Sequence, residues 1–223
     1  MQKRIIITGA SGFIGSALLE TLLDRDYEVI ALSRNPGKHA GPFSDGQLRL
    51  IEWDAESGEG WSEWAEGAKA IVNLAGENIA SGIWTASKKK KLLESRVKAG
   101  HAVTDALKKV KTKPEVLIQS SAIGWYGSRG EEIITEESEK GTGFLAELTQ
   151  AWEESVQEAD SLGVRMVILR IGMVLDKSGG ALAKLKLPFY FYVGGHLGTG
   201  EQWVSWIYRR ELVDIILVFR FLN

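Results

Sequence analysis

The stretch "TGASGFIGS", Thr8 to Ser16, spaces glycines at Gly9, Gly12 and Gly15. Before it stands the apolar run of Arg4–Thr8, and after it Ala17, Leu18, Thr21 and Leu22 form a helical stripe. Strand, G-x-x-G-x-x-G and helix in that order is the setting of a dinucleotide-binding turn. Gly9 permits the tight turn, Gly12 lets backbone approach a pyrophosphate, and Gly15 lets the helix pack close to the strand. Ser11, Phe13 and Ile14 complete the loop, and the helix N-terminus turns its partial positive charge toward the phosphates. A Walker-type loop does not fit, because no Gly-Lys-Ser/Thr follows.

Outward from the turn, short runs rich in Ile, Val and Leu recur at Val29–Ser33, Leu48–Trp53, Ala70–Leu74, Val116–Ser120 and Arg165–Ile171. They are near-continuous rather than alternating, as strands buried on both faces are. Helical patterns separate most of them: Leu92, Ala99, Val103, Ala106 and Val110 form one stripe, and 147–162 reads as a single helix. The alternation predicts a doubly wound parallel α/β sheet of Rossmann type with right-handed crossovers. The division expected is a Rossmann domain over 1–175 and a partial substrate-binding region over 176–223. Lys88 to Lys91 read as a solvated helix face, and 124–143 as a surface loop.

The run "VIALSRN" closes the second strand with Ser33 and Arg34, where an NAD-preferring site usually carries a carboxylate. A carboxylate would repel a 2′-phosphate, whereas Ser33 and Arg34 can bind one, so NADP(H) is the cofactor expected. The rest of the composition narrows the field. Of 223 residues, 27 are Lys or Arg and 29 Asp or Glu, a formal net charge of -2, so no basic excess points to nucleic acid. With no cysteine, disulfides, thiolate catalysis and cysteine-ligated metals are excluded, and His39, His101 and His196 stand far apart. The apolar run near the N-terminus is too short for a signal peptide, and no run reaches the about 18 residues of a membrane span. A cytoplasmic address is expected, with which the lack of cysteine is compatible.

"WDAE", "NLAGENI", "ESRV", "SSAIGWYG", "GTGFLAEL", "LRIGMVLDKSGGAL" and "GTGEQWVSWI" together resemble the short-chain dehydrogenase/reductase superfamily. More narrowly the chain is similar to its atypical, epimerase-like members, the nucleoside-diphosphate-sugar epimerases of the cell-division-inhibitor-related type. The resemblance implies that Asp54 faces the adenine, although a helix N-cap suits Asp54 as well. It implies that Asn73, Leu74, Ala75 and Gly76 lie beside the adenosine ribose and pyrophosphate. It implies too that Arg96 reaches phosphates of cofactor or substrate.

Catalytic members of that superfamily use a serine or threonine, then a tyrosine, then a lysine four residues on. The tyrosine is the acid or base; the lysine lowers its pKa and holds the ribose. Here Ser120 and Ser121 supply the serine element. The tyrosine position falls near Phe144, four residues before Leu148, and no Tyr-x-x-x-Lys occurs anywhere in the chain. Tyr126 and Ser121 are then the catalytic candidates, with Glu77 and the more remote Glu147 as carboxylates. The competing readings make Tyr126 a loop aromatic packed on Trp125, and the serines backbone partners at a strand end. Hydride transfer with the proton supplied by water or substrate remains open. So does binding of NADP(H) without turnover, as a regulator or sensor.

The expected substrate is a small molecule, a nucleotide sugar or another carbonyl compound. The aromatic stretch 188–207 would line its pocket or serve as packing. Gly179 and Gly180 would let backbone come close to the cofactor. In "ELVDIILVFRFLN", Leu212, Val213, Ile215, Ile216, Leu217, Val218, Phe219, Phe221 and Leu222 make a helix apolar on nearly all sides. Longer relatives would cover it with further chain, so self-association through this end is expected.

Overall fold

In a computed structural model, residues 3–34, 46–196 and 198–219 are described. Six parallel strands form the central sheet: β1 Arg4–Thr8, β2 Glu28–Ser33, β3 Leu48–Glu52, β4 Ala70–Asn73, β5 Val116–Ala122 and β6 Arg165–Ile171. Their order is β3-β2-β1-β4-β5-β6. The chain therefore winds outward from β1 in one direction and from β4 in the other. A crevice opens between β1 and β4 at their carboxyl ends, where open α/β sheets bind ligands. The Rossmann-type α/β fold read from the sequence is the fold observed.

Two apolar layers explain why the strand runs do not alternate. Ile6, Ile30, Leu32, Ile71 and Leu117 face helix α2, Ala86–Lys109, through Ala99, Ala102, Val103 and Ala106. Ile5, Ile7, Val29, Ala31 and Val72 face the opposite way, onto Leu18 and Leu22 of α1, Phe13–Leu23. At the inner strands β1, β2, β4 and β5 both faces exclude water, so most positions there favour an apolar side chain. The expected helix over 147–162 is instead two, α3 Phe144–Glu154 and α4 Glu158–Ser161. At the break the Ser155 hydroxyl donates to the Trp152 carbonyl at 2.6 Å, and Val156 and Gln157 bond three residues back rather than four. Gly100 of α2 gives that break its room: a Cβ there would lie 1.8 Å from Ser155 Oγ.

Past the sheet, β7 Met173–Asp176 and β8 Trp206–Tyr208 pair in parallel, with α5 Gly180–Tyr190 between them. The last described helix, α6 Arg209–Phe219, corrects one expectation. It buries Leu212, Val213, Ile216 and Leu217 in the layer that holds α1, and exposes Ile215 and Val218. The helix is one-sided, because the α1 face of the sheet reaches across to meet it, so α6 is part of the Rossmann core although it lies within 176–223. The apolar residues expected to drive self-association are thus largely inside; Phe221 and Leu222 lie outside the described residues. Other exposed apolar side chains include Leu187, Phe189, Tyr190, Phe191, Tyr192, Trp203 and Trp206.

Candidate functional site

The glycine turn is built as its spacing requires. Gly9 has φ +67°, and a Cβ there would stand 2.8 Å from the Leu74 carbonyl oxygen. A Cβ on Gly15 would stand 2.3 Å from the Gly9 carbonyl oxygen, so α1 leaves β1 as closely as backbone allows. Gly12 occupies the N-cap of α1 with no side-chain cap. The first-turn amides therefore point into the β1–β4 crevice with the positive end of the helix dipole. Ile14 packs its side chain on the core and offers the crevice only backbone. The Phe13 ring lies against Gly180, where a Cβ would be 2.7 Å from the ring, and under Arg209, whose guanidinium is 4.9 Å from the ring centroid. Arg209 also donates to the Phe13 carbonyl at 3.2 Å. Gly179 and Gly180 thus lie against Phe13 of the glycine loop, and the start of α6 joins them.

Beneath the crevice a buried polar network ties three strand ends. The Thr8 hydroxyl donates to Asn73 Oδ1 at 2.5 Å and accepts the amides of Leu74 and Ala75 at 3.1 and 3.2 Å. Asn73 Nδ2 donates to Gln119 Oε1 at 2.7 Å, and the Ser120 hydroxyl donates to the Asn73 carbonyl at 2.8 Å. Asn73 and Ser120 therefore spend their side chains on neighbouring strands, holding the segment Leu74–Gly76 against Gly9. Thr8 and Gln119 escaped the sequence reading. Thr8 was the more legible of the two, as a hydroxyl ending a strand directly before a glycine turn.

At the β2 end, Ser33 donates to the Ser11 hydroxyl at 3.3 Å, and Arg34 is exposed beside them. The turn thus brings two hydroxyls together next to Arg34 in the chain, with no carboxylate at the carboxyl end of β2. Asp54 caps no helix but closes a turn in the loop after β3: its Oδ1 accepts the amides of Glu56 and Ser57 at 2.8 and 3.0 Å. Those bonds, the Glu56 amide foremost, hold its carboxyl below the ordinary value.

The segment after β4 also settles Glu77 and Lys88. Lys88 donates to Glu77 Oε1 and to the Ser81 hydroxyl, each at 2.7 Å, so this lysine turns inward rather than joining a solvated face. The same hydrogen bond lowers the Glu77 pKa, which makes Glu77 a poor general base. Arg96 is buried below Gly76: a Cβ on Gly76 would lie 3.2 Å from Arg96 Cζ.

The catalytic candidates converge on an ion pair that the sequence did not flag. Arg170 on β6 holds Glu153 of α3 in two bonds, Nε to Oε1 at 2.9 Å and Nη2 to Oε2 at 3.0 Å. The Ser121 hydroxyl donates to the same Glu153 oxygen at 2.5 Å. Arg170 Nη1 donates to the Tyr126 hydroxyl at 3.0 Å, and its guanidinium lies 4.0 Å from the centroid of Trp125. Glu153 raises the Arg170 pKa, so the guanidinium stays charged. Where the tyrosine and lysine of the superfamily would stand, Phe144 meets Trp84 edge-on at 5.8 Å, and Leu148 is buried with Leu92 and Trp152. An apolar seam between α2 and α3 occupies that place.

The profile of the NAD dependent epimerase/dehydratase family matches residues 5–220. The chain belongs to this family. An epimerase family protein of Staphylococcus haemolyticus is 35% identical over 217 residues, covering 97% of this chain and 70% of that protein. A chloroplastic family member of Arabidopsis thaliana is 35% identical over 219 residues, covering 96% of this chain and 61% of its own length. The human family member SDR39U1, solved with NADPH, superposes with a TM-score of 0.81 at 30% identity, over 99% of this chain and 70% of that one. Among the described residues no helix is long and apolar enough to cross a membrane.

Proposed function

We propose that this epimerase family chain binds NADP(H) in the β1–β4 crevice and acts as an NADP(H)-dependent oxidoreductase or sugar-nucleotide epimerase on a small carbonyl compound. The observation that carries the reading is the glycine turn, in which Gly9 and Gly15 pack against backbone too closely for a side chain, with an uncapped helix start at the carboxyl ends of β1 and β4. The residues fit the cofactor. Backbone from Gly9 to Gly15, including Ser11, Phe13 and Ile14, would hold the diphosphate, and Leu74 to Gly76 would flank it. Ser11, Ser33 and Arg34 would hold the 2′-phosphate. The NADPH in the human relative supports the same choice. Bound there, the nicotinamide supplies hydride exchange at a carbonyl or carbinol carbon.

Tyr126 is the proton donor in this reading. Its oxygen accepts from Arg170, which leaves its own proton free for an oxygen of the substrate. Ser121 acts through Glu153 to keep Arg170 in place, which makes it a positioning residue. Epimerases solved with nucleotide sugars share the fold at 16–18% identity, and they support the substrate class no further than that.

The apolar Phe144 and Leu148 favour a second reading, an NADP(H)-binding regulator without turnover. NADPH fluorescence followed over time with a panel of carbonyl compounds separates the two. Consumption that falls about a hundredfold in Tyr126→Phe, with NADPH affinity intact, supports the enzyme and its acid. Binding without consumption across the panel selects the regulator. Equal affinity for NADH and NADPH refutes the 2′-phosphate assignment.

A further inference from the structure

Phe13, the first residue of α1, is held from the far side of the fold. Gly12 before it caps the helix with no side chain, and Ser11 and Gly12 are exposed. Among the described residues Phe13 joins neither apolar layer. Arg209, the first residue of α6 and 196 positions further along the chain, grips it twice. Its Nη1 donates to the Phe13 carbonyl at 3.2 Å, and its guanidinium lies 4.9 Å from the ring centroid. Asp176 steadies Arg209 in turn, with Oδ2 at 3.7 Å from Nε. Asp176 Oδ1 accepts the amide and the hydroxyl of Ser178 at 2.8 and 2.5 Å, and these bonds, the hydroxyl foremost, hold its carboxyl below the ordinary value.

That grip acts on the amide that follows. The Phe13 carbonyl and the Ile14 N–H belong to one planar, trans peptide unit, so they point in opposite directions. A donor fixed on the oxygen therefore aims the Ile14 N–H the other way, out of the start of α1. It also polarises the unit, which makes that N–H a stronger donor. The Ile14 amide is among the first four of the helix, which have no partner within it. The charge matters as well. Arg209 stands in the first turn of α6 and against the first turn of α1, and both helix dipoles oppose a cation there. Asp176 and Glu211 offset this in part. Anionic oxygens on the glycine turn would offset it further.

We infer that Arg209 is a positioning residue for the cofactor: from α6 it aims and polarises the Ile14 amide for a diphosphate on the glycine turn. This rests on the NADP(H) reading above. A turn fixed before the ligand arrives pays less for ordering when it binds. Cofactor affinity then depends on α6, an element outside the strand, turn and helix that carry the glycines.

The test is calorimetric titration of the parent chain, Arg209→Met and Arg209→Lys with two ligands, NADPH and adenosine 2′-monophosphate, beside a thermal melt of each unliganded protein. The second ligand carries the 2′-phosphate but no diphosphate. The expected result is a loss of about tenfold in NADPH affinity for Arg209→Met, partly restored in Arg209→Lys, which keeps a charged donor. Monophosphate affinity should stay within about twofold in all three. The melts should nearly coincide, because removing the cation relieves the opposition of the two dipoles as it gives up one bond. They also serve as the fold control where the monophosphate binds too weakly to titrate. Unchanged NADPH affinity in Arg209→Met overturns the inference and leaves the cofactor reading standing. A parallel loss of both ligands, or a lowered melt with NADPH affinity kept, also overturns it, since Arg209 would then serve the fold alone. A parent chain that binds neither ligand refutes the cofactor reading itself, and the inference with it.

Discussion

Thr8→Val isolates one hydroxyl beneath the crevice. Valine keeps the β-branched shape that suits the buried end of β1, so the change removes hydrogen bonding with little change in volume. The Thr8 hydroxyl is fully buried and makes one donation, to Asn73 Oδ1, and two acceptances, from the amides of Leu74 and Ala75. The Leu74 amide has a second acceptor in the Thr8 carbonyl at 3.3 Å, so it is not stranded. Asn73 Oδ1 and the Ala75 amide are. Each stranded buried group costs about 1–3 kcal/mol, which sets the loss at about 3 kcal/mol. In a domain of this size that lowers Tm by about 6–12 °C. Urea unfolding of parent, Thr8→Val and Thr8→Ser is the assay, with serine restoring most of the loss. A loss below about 1 kcal/mol in Thr8→Val would refute the claim that this network holds the crevice together. NADPH affinity should fall with stability, because Leu74 to Gly76 would no longer be held against the glycine turn.

Gly15→Ala places a Cβ 2.3 Å from a backbone carbonyl oxygen, so it should destabilise by about 1–3 kcal/mol in thermal melts, since backbone cannot rotate aside. Arg34→Ala should weaken NADPH by about 1.5–3 kcal/mol and leave NADH nearly unchanged in calorimetry. Glu77→Gln tests the Lys88 contact through pH. The Glu77 pKa is depressed from its ordinary 4.5 in the folded chain, so the contact's stabilisation is complete above that value and fades as pH falls through the native pKa. Parent and variant should therefore differ in unfolding free energy from urea titration at neutral pH, by about 1 kcal/mol or less, and converge in acid. A difference that grows on acidification would contradict the assignment.

Much of the architecture was legible because it is written in local pattern. Continuous Ile and Val runs mark strands buried on both faces, and Gly9, Gly12 and Gly15 mark a turn that other residues cannot make. Both are properties of neighbouring residues, and the six strands of the central sheet depart from the sequence reading only at their ends, whereas the short pair β7 and β8 is absent from it. The break after Glu154 was missed because Ser155 competes with the helix through its own hydroxyl, at a place where Gly100 of another helix leaves room. Lys88 was misread for a related reason: four lysines in a row look alike until the loop before α2 folds back and brings Glu77 to one of them.

The sequence by itself determined the fold class, the place of the glycine turn, the lack of a carboxylate at the carboxyl end of β2 and the lack of a Tyr-x-x-x-Lys pair. Each of these depends on residue identity at short spacing. Tertiary structure alone decided which charges meet. Arg170 finds Glu153, Ser121 and Tyr126 because β6 lies beside β5 and α3 packs against them. Arg96 hydrogen-bonds carbonyls and stacks on an indole ring because the Glu77 carboxylate near it bonds Lys88. It also decided the fate of α6, whose apolar residues look alike along the chain. The helix turns Leu212, Val213, Ile216 and Leu217 inward because α1 and the sheet leave one face to fill, and an amphipathic fit of that kind is set by its partner surface as much as by its own sequence.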